Sequence, residues 1–448
     1  CTITNDDISP TLKVVKDITN DNGGLVSDPN AFGLRVNGGS VLNNVVNNFD
    51  VGSYTVTEDG LAGYVAGAWG GDCASDGSIS LVLGQNATCS ITNDDIDTTR
   101  LTLVKQVINN NGGTAAESEW TLLAAGLTPF NGPGPSASST VSAGSYDLTE
   151  SEGPAGYSDG NWVCDGGTQV DADTVVLALG DDVTCTITSD DMTPTLNIVN
   201  VIVNDDNGTV EDPDAFGLRV DGNSVLNNVT NNINAGSHTV TVDGLAGYSA
   251  STWSGDCDEL GNVTLVLNQD ANCTITNNDI APTLKVFKTI INDNGGLVTD
   301  ENAFGLKVND APVFHDVTGS FNAGSYTVSE TGVTGYQSGN WGGDCDTDGS
   351  ITLSQGDTAV CTSTSNDISP TLTVIKTIIS DNGGLITDPD AFGLRVDGGS
   401  VLNNITNNFD AGSHTVSEDG LAGYEPGVWG GHCSPEGLVN LVLGQDAT

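Results

Sequence analysis

The chain has 448 residues, of which 59 are Asp or Glu and 11 are Lys or Arg, for a formal net charge of -48. Basic residues this few and this scattered make no phosphate-tracking groove, which excludes nucleic acid as a partner. Self-repulsion in so acidic a chain is relieved by salt or divalent cations, which suits a cation-rich exterior.

Residues 1–7, "CTITNDD", repeat the end of an interior stretch, "LVLGQNATCSITNDD", that runs from Leu81 to Asp95. They read as the last strand of a preceding or neighbouring repeat. Self-comparison gives a period of 88 residues with one copy of 96. The first repeat is residues 8–95, the second 96–191, the third 192–279, the fourth 280–367 and the fifth 368–448, the last without its final strand. Each opens on a run such as "TLKVVK" at Thr11 and turns through a segment such as "NDNGG". A run such as "YTVTE" follows, then "GY", a Trp shortly before a Cys, and a closing run such as "LVLGQNATC". Short runs rich in Val, Thr, Leu and Ile between Gly, Asn, Asp and Pro predict strands and turns, and no segment carries a helical apolar stripe. The expected fold is all-β: a tandem array of five Ig-like sandwiches of about seven strands each, joined into a rod by short, mostly proline-stiffened links such as "NDDISPTL".

Ten cysteines fall at regular positions, and none forms the CxxC pair that zinc sites use. Pairing Cys73 with Cys89, Cys164 with Cys185, Cys257 with Cys273 and Cys345 with Cys361 closes one loop inside each of four copies. Each closure contributes about 3 kcal/mol by the chain-entropy relation. Disulfides of this regularity predict an oxidising, extracellular setting at the cell surface. No apolar run approaches the length of a membrane span, and the chain reads as a mature segment or a piece of one.

Side chains two apart on a strand share a face. Leu12, Val14 and Lys16 therefore lie together, as do Tyr54, Val56 and Glu58, and Cys89, Ile91 and Asn93. The apolar members mark the core face, so Lys16, Glu58 and Asn93 sit at its inner edge, where a charge needs a partner. Lys105, Lys288 and Lys376 repeat the position of Lys16, and Glu150, Glu330 and Glu418 repeat that of Glu58. In the third copy Lys gives way to Asn200 and Glu to Val242. This joint loss predicts that the two side chains touch.

A Lys ending the first strand, a Glu in "YTVSE" ahead of "GY", and an Asn near the end of the last strand resemble the SpaA/CnaB-type prealbumin-like β-sandwich domains of bacterial surface fibres, and all five copies share the resemblance. It implies that Lys16 attacks the Asn93 carboxamide while Glu58 shuttles protons, forming an isopeptide bond with loss of ammonia in a dry core. Ser189 and Ser365 replace the acceptor in copies two and four, which leaves Lys105 with Glu150 and Lys288 with Glu330 as buried ion pairs. Copy three has Asn200, Val242 and Asn277, with neither nucleophile nor shuttle.

The acidic turns place Asp21 with Asp28, Asp293 with Asp300, and Asp381 with Asp388 on one loop pair each. Oxygen ligands of this kind suit calcium, although Asn, Asp and Gly are also what tight turns require with no cofactor at all. No histidine joins a repeated Ser or Cys constellation and no catalytic set recurs, so the chain does not read as an enzyme. The expected role is that of an extracellular structural protein of a surface fibre, pilus-like filament or stalk. Its partners would be identical subunits or further repeats of the same chain, continued head to tail. In that continuation Cys433 bonds a Cys1 equivalent, and Lys376, Glu418 and Asn5 rebuild the triad. Rival readings are an adhesin that binds through its exposed turns, and spacer repeats of a larger surface enzyme.

Overall fold

β-Branched residues alternate with polar ones through short runs that Asn, Asp and Gly interrupt, a pattern that fits pleated, half-buried strands and tight turns. The computed structural model, which describes residues 1–448, is all β with brief 3-10 turns. No helix is long and apolar enough to cross a membrane. Two compact units make up the chain: residues 1–197 with 230–238 and 262–272, and residues 198–229, 239–261 and 273–448. Repeats one and two lie in the first and repeats four and five in the second, while the third is divided between them.

The first repeat has nine strands: β1 (Thr11–Thr19), β2 (Arg35–Val36), β3 (Gly39–Ser40), β4 (Val46–Asn48), β5 (Gly52–Thr57), β6 (Tyr64–Ala66), β7 (Gly70–Gly71), β8 (Ser78–Leu81) and β9 (Asn86–Asp95). Alternation predicts about seven, because two-residue strands such as β3 and β7 are too short to carry a period. One sheet runs β4-β1-β9-β6 with β7 also on β9, and the other runs β3-β2-β5-β8. β1 and β9 pair in parallel from Thr11 opposite Asn86 to Thr19 opposite Asp94. A parallel pair needs a long crossover, and here the whole intervening domain supplies it. Leu12, Val14, Leu34, Val56, Leu81 and Cys89 fill the space between the sheets.

The third and fourth repeats keep both strand orders. The longer second repeat adds a strand, Thr168–Gln169, beside Thr174–Leu177. In the fifth, the sheet containing the first strand shrinks to Thr371–Thr373 between Thr406–Asn408 and Asp446–Ala447. Residues 374–380 carry no strand. A groove of ≈ 250 Å³ opens beside them, lined by Leu372, Val374, Val416, Trp429, Cys433 and Thr448 among others.

All four expected disulfides are present, with Cα atoms 3.9 to 5.2 Å apart. Cys1 and Cys433 carry free thiols. Cys1 and the eight residues after it are exposed, while Cys433 is half-buried in the groove, where burial pushes its thiol pKa up.

Candidate functional site

The parallel register of β1 and β9 sets Lys16 beside Ile91, one core-facing residue short of Asn93. β5 runs in the opposite sheet and ends at Thr57, so Glu58 leaves it pointing into the gap between the two. Lys16 Nζ donates to Glu58 Oε2 at 2.7 Å and Asn93 Nδ2 donates to Glu58 Oε1 at 2.6 Å. The lysine side chain is 0% exposed and the glutamate 7%. Burial pulls the Lys16 pKa below that of a free lysine, against the opposing pull of Glu58. Asn93 Oδ1 is buried without a hydrogen-bond partner, a state that carries a desolvation penalty of about 1–3 kcal/mol. A carboxylate thus bridges an amine biased towards its neutral form and a carboxamide with an unsatisfied oxygen. This set can move a proton from nitrogen to nitrogen while a carbon–nitrogen bond forms.

The other copies vary the set. In the second repeat Lys105 Nζ donates to Glu150 Oε1 and Oε2 at 2.8 and 2.6 Å and also to Ser189 Oγ. Ser189 in turn donates to Asp159 Oδ1 at 2.5 Å. Burial raises the Glu150 pKa, Lys105 opposes this, and Asp159 adds to it. In the fourth, Lys288 Nζ lies 2.6 Å from Glu330 Oε2 and donates to Ser363 and Ser365 at 2.9 and 2.6 Å. The third has a neutral pair, in which Asn277 Nδ2 donates to Asn200 Oδ1. The fifth holds Lys376 at 2.6 Å from Glu418 with the lysine 16% exposed.

One component of the site escapes alternation. The ammonium of Lys16 lies 4.4 Å from the centroid of the Phe32 ring, and Trp120, Phe304 and Phe392 cover the other lysines in the same way. Aromatic faces attract a cation and exclude water around it. Phe32 ends a 3-10 turn, Pro29–Phe32, capped by Asp28, whose side chain accepts from Asn30 N. The recurring "AF" after each acidic turn is the only sequence signal for it, and the second repeat replaces even that with Trp120.

The acidic residues separate into two groups. Asp28, Asp300 and Asp388 cap 3-10 turns. Asp21 instead meets Asp94 and Asp95, which come from the end of β9, and Asp205 meets Asp206 and Asp279 in the third repeat; within each group the carboxylate oxygens lie within 4.8 Å of one another. Burial raises the Asp21 pKa, with Asp94 and Asp95 adding to it. Asp293 and Asp381 accept from the side chains of Asn294 and Asn382 at 2.7 and 2.9 Å.

A family model described as a prealbumin-like fold domain matches residues 7–91, 96–187, 191–275, 279–363 and 367–448. No curated protein matches the chain. Among solved structures, the Bacillus anthracis TIE protein is 13% identical over 75% of this chain, which spans 66% of that one, with a TM-score of 0.40. Two B repeat units of the collagen binding protein of Staphylococcus aureus are 16% identical over 81% of this chain and 100% of theirs, with a TM-score of 0.22. The major pilin subunit of Bacillus cereus is 10% identical over 60% of this chain and 99% of its own, with a TM-score of 0.21.

Proposed function

The chain belongs to the prealbumin-like fold domain family, in five tandem copies, and on that premise we propose that it is an extracellular structural protein of a cell-surface fibre, pilus-like filament or stalk. One observation carries this reading. The first and last strands of the first, second and fourth sandwiches lie side by side in parallel, over nine residue pairs each. Pulling the ends of such a domain apart loads these pairs together, in shear, so the arrangement suits a part that bears tension. The disulfide from Cys73 to Cys89 ties the same last strand to the preceding loop.

The Lys16, Glu58 and Asn93 set supports a second tie between the loaded strands. Neutral Lys16 Nζ attacks Asn93 Cγ, Glu58 takes a proton from the attacking nitrogen and passes one to the leaving nitrogen, and ammonia departs as the amide forms. The bond forms once and turns over no substrate, so the chain acts as a structural element and not as an enzyme. Calcium enters this reading only as a stiffener of the Asp21, Asp94 and Asp95 cluster.

Head-to-tail continuation completes the proposal. The groove of the fifth repeat lies beside its first strand, the strand with which the last strand pairs in the first repeat, and residues 1–7 have last-strand sequence. Further sequence of the same chain or a second copy would supply that strand, pairing Cys433 with a Cys1 equivalent and Lys376 and Glu418 with an Asn5 equivalent. Immunogold labelling of intact source cells with antibodies to the second repeat tests the role. Label along surface filaments is expected, and label confined to the cell interior overturns it.

A further inference from the structure

Each complete repeat ends its last strand on a buried aspartate: Asp95, Asp191, Asp279 and Asp367, all at most 3% exposed. Asp95 Oδ1 accepts from the backbone N–H of Asp21 and of Asn22, both at 3.1 Å, and its Oδ2 from Asn22 at 2.9 Å and Gly24 at 2.6 Å. The carboxylate thus winds the acidic turn around itself. Hydrogen bonds from three backbone N–H groups explain why a buried charge is tolerated there.

The turn so held does not stop at its own domain. The carbonyl of Asn22 accepts from the N–H of Ala143 in the next repeat at 2.8 Å. The same bond recurs from Asn111 to Ala235, from Asp206 to Ala323 and from Asn294 to Ala411, at 2.7 to 2.9 Å. The approach is close: a Cβ on Gly23 would stand 2.1 Å from the carbonyl oxygen of Ala143. Gly23 takes φ +91° there without strain, and the third repeat places Asn207 at φ +65° in the same position, its Nδ2 donating to the carbonyl of Ala323 at 3.0 Å. The links add little slack, since Ile280, which opens the fourth repeat, donates its N–H to the carbonyl of Gly247 in the third while its carbonyl accepts from Gly356 in its own, both at 2.8 Å.

We propose that Asp95, Asp191, Asp279 and Asp367 are positioning residues for the neighbouring repeat: by fixing the acidic turn, each sets the carbonyl on which the next sandwich is seated. Every joint is then built by the domain before it, and the carboxylate acts across the joint without touching the domain it places. This explains why the turn keeps its Asn, Asp and Gly composition in copies that differ in their core site.

Hydrogen exchange read by mass spectrometry on the full chain tests this, with Asp95→Asn as the first variant. Replacing an acceptor oxygen by a donor is expected to speed exchange roughly tenfold or more at Asn22 and Gly24, and equally at Ala143 in the second repeat. Protection at Val14 and Cys89, in the parallel pair, should stay at the wild-type level. The second variant, Gly23→Ala, is expected to free Ala143 while Gly24 stays protected. If Asp95→Asn frees the turn and leaves Ala143 protected, the aspartate clamps only its own turn and the proposal fails. If Val14 and Cys89 lose protection together with the turn, the aspartate holds the repeat itself and the proposal also fails. The readout concerns the joint alone, so the fibre reading can fail without changing it.

Discussion

In the third repeat Asn277 donates to Asn200 at 2.7 Å, at the place where Asn93 and Lys16 flank Glu58 in the first. Losing the ammonium and the carboxylate together leaves a buried but neutral amide pair, with Asn200 Nδ2 further satisfied by the carbonyl of Pro213 at 3.0 Å. Losing either one alone would strand a charge in the core. Asn200→Lys is therefore expected to destabilise the third repeat by about 3–5 kcal/mol. Adding Val242→Glu should recover most of that, and with Asn277 already present the double variant should lose one ammonia. Calorimetry of the full chain and intact mass after reduction check the two halves of this prediction.

For the first repeat, the reduced wild-type chain is expected to weigh one ammonia less than its sequence requires. Lys16→Arg should restore the full mass, because a guanidinium stays protonated and does not attack. Glu58→Gln should also restore it and cost about 3–5 kcal/mol, since Lys16 then faces an uncharged partner in a dry site. A wild-type chain of full mass would remove the isopeptide bond from the account and leave the ion pair.

Reduction of the four disulfides is expected to lower the stability of each bridged repeat by about 3 kcal/mol. The fifth repeat, whose Cys433 is free, should not respond. Peptide-resolved exchange with and without reductant separates the copies, and uniform loss across all five would contradict it.

The two carboxylate environments predict opposite responses to acid. Burial, then the charges of Asp94 and Asp95, raises the Asp21 pKa above its ordinary 3.8. The folded state therefore holds that proton more tightly, and the repulsion in this cluster is relieved as pH falls through the raised value. Burial also works to raise Asp191, but backbone donors from Gly113, Asn111 and Asn110 outweigh it and hold the carboxyl below 3.8. Its contribution is full above 3.8 and is lost as pH falls through the lower folded value. Asp21→Asn should thus flatten the stability gain on mild acidification, and Asp191→Asn the loss at stronger acid. Thermal melts across pH at constant ionic strength read both.

Calcium, if it stiffens the Asp21, Asp94 and Asp95 cluster, should raise the melting temperature of the wild type more than that of Asp21→Asn at equal ionic strength. A melting temperature unchanged by chelator would show that the turn composition serves backbone geometry alone.

Five near-copies in one chain act as replicate observations, and this is why so much was legible without coordinates. The period counted the five copies, alternation placed Lys16, Glu58 and Asn93 on core faces, and the joint replacement at Asn200 and Val242 pointed to the contact that Lys16 and Glu58, 42 residues apart, make in the first repeat. The cysteine spacing likewise carried the pairing. Tertiary structure alone decided what covers the lysine, because Phe32 comes from a 3-10 turn with no period and Trp120 takes its place from a different local sequence. It alone separated Asp28, a turn cap, from Asp21, which joins Asp94 and Asp95, since the parallel pairing of β1 with β9 brings the turn after β1 beside the end of β9. Composition cannot make that distinction: tight turns, caps and cation sites all call for short oxygen-bearing side chains, and only the path of the backbone determines where those oxygens point.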